Sequence, residues 1–61
     1  MIKITCYDEE KTYDDSKRKE LMEHFMEGVM ACDGSERDRY MSIYCGLEEG
    51  ATVIDDQWNW S

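Results

Sequence analysis

The sequence has no proline, one histidine, three cysteines and few basic side chains. A single histidine leaves little for catalysis, which needs a base or nucleophile held beside an orienting group. Seven Lys and Arg against fifteen Asp and Glu give a net charge of −8, which repels nucleic acid and anionic membranes. No apolar run approaches the roughly 20 residues that cross a bilayer. We therefore expect no enzyme, no direct nucleic-acid binding and no membrane association.

The cysteines lack the spacing of a metal knuckle or a redox motif. Cys6, Cys32 and Cys45 are odd in number and contain no CxxC pair, and the first residues do not read as a signal peptide. We expect reduced thiols in a cytoplasmic protein. Because Cys6 and Cys32 fall at positions where the periodicity predicts burial, small buried side chains explain them better than zinc ligands. We predict no metal and no cofactor.

The histidine and the paired acidic residues also read as surface features. His24 follows Glu20 by one turn of a predicted helix, a spacing at which the two side chains can pair. Acidic pairs such as Glu48-Glu49 and Asp55-Asp56 lack the loop spacing of an EF-hand. We expect solvated charge at all of these positions.

The sequence does contain enough apolar material for one small core. Of the 61 residues 41% are apolar, including two Trp and four Tyr, which is more than a disordered tail carries. A chain of this length buries only about 60% of its unfolded surface. The core is therefore expected to be modest, and a second subunit would add to it.

Periodicity predicts two strands and two helices in a single domain over residues 1–61. Alternating apolar residues indicate a strand over 2–7, whereas the charged segment that follows has no periodicity and reads as a solvated connection. Helices are predicted over 14–32 and 36–49, and a second strand over 51–55. We predict an α+β fold of order β-α-α-β, with an antiparallel helical hairpin on a two-stranded antiparallel sheet.

Capping residues mark the ends of the helices. Asp14, Asp15 and Ser16 are all capable N-caps for the first helix. Gly34 is a left-handed cap at its end, Ser35 an N-cap for the second helix and Gly50 its terminator. Gly28 beside the buried stripe of the first helix predicts a close crossing of the second. The expected buried stripe of the first helix is Leu21, Phe25, Val29 and Cys32, and the core face of the second is Tyr40, Ile43, Tyr44 and Leu47.

The first helix carries a second apolar row, formed by Met22, Met26 and Met30. Residues spaced by four share one side of a helix, and this row lies beside the predicted buried stripe. Two interpretations stay open: the row completes the core, or it faces another molecule, a use that suits the flexible methionine side chain.

The same helix carries an acidic row, Glu20, Glu23 and Glu27. Successive carboxylates lie about 5 to 6 Å apart on a helix, close to the phosphate repeat of nucleic acid, so the row can be read as a phosphate mimic. The competing interpretation is an ordinary solvated face, because Lys19 can pair with Glu23.

The tail over residues 56–61 contains two tryptophans, Trp58 and Trp60. It either extends the second strand or folds over the sheet. Exposed aromatic residues are typical anchors of protein interfaces, so both tryptophans are candidate partner-binding residues.

A short segment resembles a known group of proteins. The run Gly34-Ser35-Glu36-Arg37-Asp38-Arg39-Tyr40, followed by Ile43, Leu47 and Gly50, is similar to short acidic uncharacterised proteins of phages and conjugative elements in Gram-positive gut bacteria. The resemblance covers the first strand, both helices and the start of the second strand, but not the tail. It implies a bacterial mobile-element accessory protein and carries no catalytic signature.

These features predict a small acidic, non-enzymatic protein-binding module whose partner is a protein with a basic surface. Inhibition of a basic or nucleic-acid-binding host protein fits both the charge and the resemblance. The alternative is a homodimer built through the methionine row, the tryptophans or a sheet edge, in which the acidity serves only solubility.

Overall fold

A three-stranded mixed sheet packs against two helices in the computed structural model, which describes all residues from Met1 to Ser61. The strands are β1 (Ile2–Cys6), β2 (Glu9–Tyr13) and β3 (Val53–Asp55), and the helices are α1 (Arg18–Ala31) and α2 (Gly34–Glu48). The sheet order is β2-β1-β3, with β2 antiparallel and β3 parallel to β1. The protein is therefore α+β, as the sequence predicts. Neither helix is long and apolar enough to traverse a membrane.

The predicted order β-α-α-β is wrong, because the segment after β1 forms a hairpin and not a solvated connection. Cys6 pairs with Glu9 across a two-residue turn in which Tyr7 and Asp8 have φ angles of 51° and 65°. Two successive left-handed residues are typical of a type I′ turn, whose twist matches that of the flanking strands. The sequence lacks the Asn or Gly that usually marks this turn, and β2 exposes almost every side chain. The sequence of this segment therefore contains neither a turn signal nor the alternating pattern that predicts a strand.

The prediction of a two-stranded antiparallel sheet is wrong for the same reason. Ile4 pairs with Ile54 in a parallel register that runs from Lys3 opposite Val53 to Thr5 opposite Asp55. Each successive element reverses the direction of the chain, so the additional strand β2 adds one reversal before the helices. That extra reversal brings β3 back parallel to β1.

The core lies between the helices and the inner face of the sheet. Its buried apolar side chains are Ile2, Ile4, Leu21, Phe25, Val29, Ile43, Leu47 and Ile54. The expected close crossing of the helices is present: a Cβ atom at Gly28 would lie 3.0 Å from the ring of Tyr40. Glycine at this position lets the Tyr40 ring pack directly on the α1 backbone.

The start of α1 and the junction with α2 differ in detail from the prediction. Asp14 accepts a hydrogen bond from the Ser16 N–H at 3.0 Å, and this cap begins a 3-10 turn, so α1 itself starts only at Arg18. Gly34 has the expected left-handed φ of 66°, but the C-cap of α1 is Cys32 and Gly34 is the first residue of α2, so its predicted role as the cap of α1 is wrong. No side-chain hydrogen bond caps the start of α2, so the predicted capping role of Ser35 is wrong.

The end of α2 is closed by two sets of hydrogen bonds. Gly50 has a φ of 85°, and its N–H donates to the Leu47 carbonyl while the Ala51 N–H donates to the Gly46 carbonyl. This pair of bonds is a Schellman motif, in which glycine supplies the left-handed residue. Arg18 also donates to the carbonyls of Leu47 and Ala51, both at 2.9 Å, and so ties the start of α1 to the end of α2.

The tail neither extends β3 nor lies flat across the sheet. It reverses direction, and Trp60 forms an antiparallel bridge with Ile54. Ser61 donates to the Val53 carbonyl at 2.9 Å and accepts from the Val53 N–H at 3.0 Å. The tail therefore covers the outer edge of β3 and leaves the outer edge of β2 as the open edge of the sheet.

Candidate partner-binding groove

An open groove runs between α1 and α2 on the side away from the sheet, and we call it the methionine groove. Half-buried apolar side chains, Met22, Met26 and Tyr44, form its floor. Its volume is about 440 Å³. Its rim consists of Lys19, Glu23 and Glu27 from the exposed face of α1.

The helical period explains why these residues meet. Leu21 and Phe25 point into the core, and each is followed one position later by a methionine, which is rotated by about 100° toward α2. Tyr44 completes the floor from the opposite wall. The glutamates lie a further 100° around α1 and therefore stand between the apolar floor and solvent.

The carboxylates at the rim have no ionic partner within the protein. Ion pairs form at four other places, and none includes Glu23 or Glu27. The expected pairing of Lys19 with Glu23 is therefore wrong. A helix dipole favours acidic residues at the amino end and basic residues at the carboxyl end, yet Lys19 stands near the start of α1 and no basic residue occurs in its last turn. Folding of α1 does not require this charge order.

Only part of the predicted acidic row and part of the predicted methionine row line the groove. Glu20 does not line the groove, and its carboxylate pairs with Lys17 at 3.5 Å and not with His24. Met30 is 76% exposed and lies beyond the lining of the groove. The groove therefore combines two members of the acidic row with two members of the methionine row, which sequence reasoning treated as separate surfaces.

The tryptophans lie on the other side of α2 from the groove. A Cβ atom at Gly46 would lie 3.0 Å from the Trp60 ring, and Gly46 is two positions from Tyr44, which places the two residues on opposite faces of the helix. Trp60 packs against the core, whereas Trp58 is 50% exposed. The structure does not bring the tryptophans together with the other predicted partner-binding residues.

A second cluster, which the sequence did not reveal, surrounds Asp56, and we call it the Asp56 junction. The carboxylate is buried and accepts hydrogen bonds from the Tyr7 N–H at 2.9 Å, from Arg39 at 2.7 Å and from Gln57 at 3.4 Å. The Arg39 guanidinium also lies 4.7 Å from the centre of the Tyr7 ring. These contacts hold the hairpin turn, α2 and the tail together.

Opposing effects act on the Asp56 carboxylate. Burial raises its pKa, but the hydrogen bonds from Tyr7, Arg39 and Gln57, together with the positive charge of Arg39, outweigh burial and hold the pKa below the ordinary aspartate range. The acid is therefore ionised and fully paired. These contacts join three elements of the fold and account for the buried carboxylate as a structural element.

A buried hydroxyl completes the attachment of the tail. Ser42 donates to the Asp55 carbonyl at 2.9 Å and accepts from the Trp58 N–H at 2.8 Å. Trp58 has a φ of 66°, so this bond holds a residue in an uncommon backbone region. Periodicity alone gave no sign of Ser42, because a serine at this position of α2 reads as a surface residue.

The thiols and the histidine do not assemble into a chemical site. Cys6, Cys32 and Cys45 are free and half-buried. Burial raises the pKa of the Cys6 and Cys45 thiols, which lowers the fraction of reactive thiolate. No three side chains of the His, Cys, Asp and Glu types converge as metal ligands.

The fold is thus a β-hairpin, a helical hairpin and a parallel third strand, and its most prominent unexplained surface is the methionine groove. Compared with known protein families, curated proteins and solved structures, the chain matches none of them. The resemblance to small acidic proteins of mobile elements therefore stays a prediction.

Proposed function

We propose that the protein is a non-enzymatic binding module whose methionine groove engages a basic site on another protein. One observation carries the proposal: two carboxylates without ionic partners, Glu23 and Glu27, stand beside the half-buried side chains of Met22 and Met26. This combination offers both attraction at long range and apolar contact at short range.

The physical properties of the groove suit recognition of a protein. Methionine is flexible and polarisable and fills an irregular interface well. The net charge of −8 favours encounter with a basic surface. Nearby Tyr44 adds an aromatic side chain of the kind that is enriched at interfaces.

The specific form of the proposal is an accessory protein of a mobile element that inhibits a basic or nucleic-acid-binding host protein. The resemblance of residues 34–50 to small acidic proteins of phages and conjugative elements supports this form. The net charge supports it as well, because a site that binds phosphates also attracts carboxylates.

A homodimer is the alternative proposal, and the open outer edge of β2 favours it. Backbone groups on such an edge can pair with a second copy. Against this, Glu9, Glu10 and Lys11 are exposed on the strand, and each copy carries a charge of −8. Charged edge residues usually discourage pairing.

Capture from a lysate of the organism that carries the gene tests the proposal when it is done with matched variants. We expect a protein retained by the wild type to be lost with the double variant Glu23→Gln/Glu27→Gln. The same protein should be kept by Glu9→Gln/Glu10→Gln, which removes the same charge from β2. Retention should also weaken as salt is raised from about 0.1 M to 1 M, where the Debye length falls to about 3 Å.

If both double variants failed equally to retain the protein, net charge alone would explain retention. The groove would then not be the binding site. Light scattering of the wild type across a dilution series tests the alternative. A mass of two chains would favour the homodimer. A mass of one chain at every concentration would contradict it.

A further inference from the structure

We infer that the segment bound by the methionine groove is an amphipathic basic helix, which lies with its cationic end against Glu23 and Glu27 of α1. This inference rests on the proposed function and specifies the partner of the same site. It combines the architecture of the groove walls, the length of the apolar floor and the order of charge along the rim.

The walls of the groove are helices, and this limits what can bind there. Within each helix the backbone N–H groups donate to C=O groups of the same helix, so the groove presents side chains alone. An extended peptide that binds by β-strand addition needs a free sheet edge, which the groove does not offer. A helix satisfies its own backbone and needs only side-chain contacts. The groove therefore favours a helical occupant.

The dimensions of the groove suit about two turns of a helix. Its lining on α1 extends from Lys19 to Glu27, which is about 12 Å at a rise of about 1.5 Å per residue. Met22 and Met26 are one turn apart and offer two adjacent contact points. Apolar residues at i, i+3 or i+4 and i+7 of a docked helix would span this floor.

The charges on the rim indicate the orientation of the occupant. Lys19 lies near the start of α1, whereas Glu23 and Glu27 follow toward its end. A docked helix with Lys or Arg at i and i+4 places one cation beside each carboxylate. Its other end, beside Lys19, is best neutral or acidic.

Three synthetic peptides test the inference. The first is a helix of about 18 residues, long enough to be partly helical in water, with a leucine stripe, two lysines at one end and two glutamates at the other. The second has the same composition but D-residues at three central positions, which prevent the helix. The third exchanges the positions of lysine and glutamate. Binding is followed by NMR of the protein with ¹³C-labelled methionine methyl groups.

We expect the first peptide to shift the methyl signals of Met22 and Met26 and to leave Met1 unchanged, because Met1 does not line the groove. Its affinity should exceed that of the D-residue peptide by at least tenfold. The variant Glu23→Gln/Glu27→Gln should weaken binding about tenfold, while Glu9→Gln/Glu10→Gln should leave it unchanged.

A spin label on the first peptide tests the orientation. Attached at the lysine end, it should broaden the methyl signal of Met26 more than that of Met22. The exchanged peptide carries the label at the same terminus, which is now its glutamate end. It should either bind in the reverse direction, so that the label broadens Met22 more than Met26, or bind less tightly.

Two outcomes would overturn the inference. Equal affinity of the first two peptides, with shifts at the same methionines, would mean that the groove accepts basic chains in any conformation, and the proposed function would stand without it. No shift at Met22 and Met26 with the first peptide would also reject a helical occupant. The proposed function fails by a different result, namely capture from the lysate that is unaffected by the groove variant.

Discussion

The Asp56 junction and the methionine groove contain similar residue types and differ in how their charges are paired. At the junction a buried carboxylate receives three hydrogen bonds, one of them from the Arg39 guanidinium, so both charges have a partner within the chain. At the groove two carboxylates stand beside apolar side chains with no ionic partner. Only the carboxylate of the junction links separate elements of the fold, whereas Glu23 and Glu27 are exposed to solvent.

The largest effect on this comparison is expected from Asp56→Ala. The change leaves the Tyr7 N–H without its acceptor and Arg39 without its anion, and we expect a loss of about 2 to 3 kcal/mol in the free energy of unfolding. Because the Arg39 side chain remains 34% exposed and can turn to water, the loss should stay below that of a fully buried pair. The melting temperature should fall by roughly 10 °C or more in a domain of this size.

The control for this change is Asp38→Asn, which removes one charge from an exposed position of α2 and should leave the melting temperature almost unchanged.

Acid titration sharpens the test of the Asp56 carboxylate. Since the pKa of Asp56 is lowered in the folded state, its contribution is fully present above the ordinary aspartate pKa of about 3.9 and is lost as pH falls below it. The wild type should lose stability in that range more steeply than Asp56→Ala. Parallel acid curves would contradict the structural role of this carboxylate.

An intermediate effect is expected where α2 meets the tail. A Cβ atom in Gly46→Ala would lie 2.9 Å from the Ile54 side chain and 3.0 Å from the Trp60 ring. Overpacking of this kind costs about 1 to 3 kcal/mol, which outweighs the gain in helix propensity of about 1 kcal/mol or less. Chemical denaturation measures the loss.

The matched comparison for Gly46 is Gly28→Ala, which gains the same propensity against the ring of a half-buried tyrosine at 3.0 Å. That ring has solvent on one side and can move, so we expect a smaller change. Should Gly28→Ala prove the more damaging of the two, the helix crossing and not the tail would be the tighter contact.

The smallest effect on stability is expected from Glu23→Gln/Glu27→Gln. Neither carboxylate has an ionic partner, and their removal lowers the net charge of −8, whose self-repulsion opposes the compact state. We expect the free energy of unfolding to change by less than about 0.5 kcal/mol, with a slight increase as the favoured direction. Thermal unfolding at low salt is the measurement, and a clear destabilisation would mean that the groove contributes to the fold after all.

Local patterns in the sequence determined the helices and the core. The stripe of Leu21, Phe25 and Val29 and the glycine at position 50 each act over a few residues, so their roles follow from helical period and left-handed φ alone. The same period predicted the acidic and methionine rows of α1. Both rows are visible in the sequence because they depend on one helix.

The hairpin and the sheet were decided by contacts between distant residues. Tyr7 and Asp8 are poor residues for a type I′ turn, and the Tyr7 backbone is held by Asp56, 49 positions away. The parallel pairing of β3 with β1 likewise joins distant residues, as in the pairing of Ile4 with Ile54. No local pattern encodes it, because its stabilising bonds join the two ends of the chain.

The candidate site lies between these two cases. The positions of Glu23, Glu27, Met22 and Met26 around α1 follow from the sequence, since helical geometry fixes the angle between them. Only the packing of α2 decided that Tyr44 closes the floor of the groove and that Glu20 and Met30 lie outside it. The tertiary structure made that selection because a groove needs a second wall, and the angle at which two helices meet depends on every side chain between them.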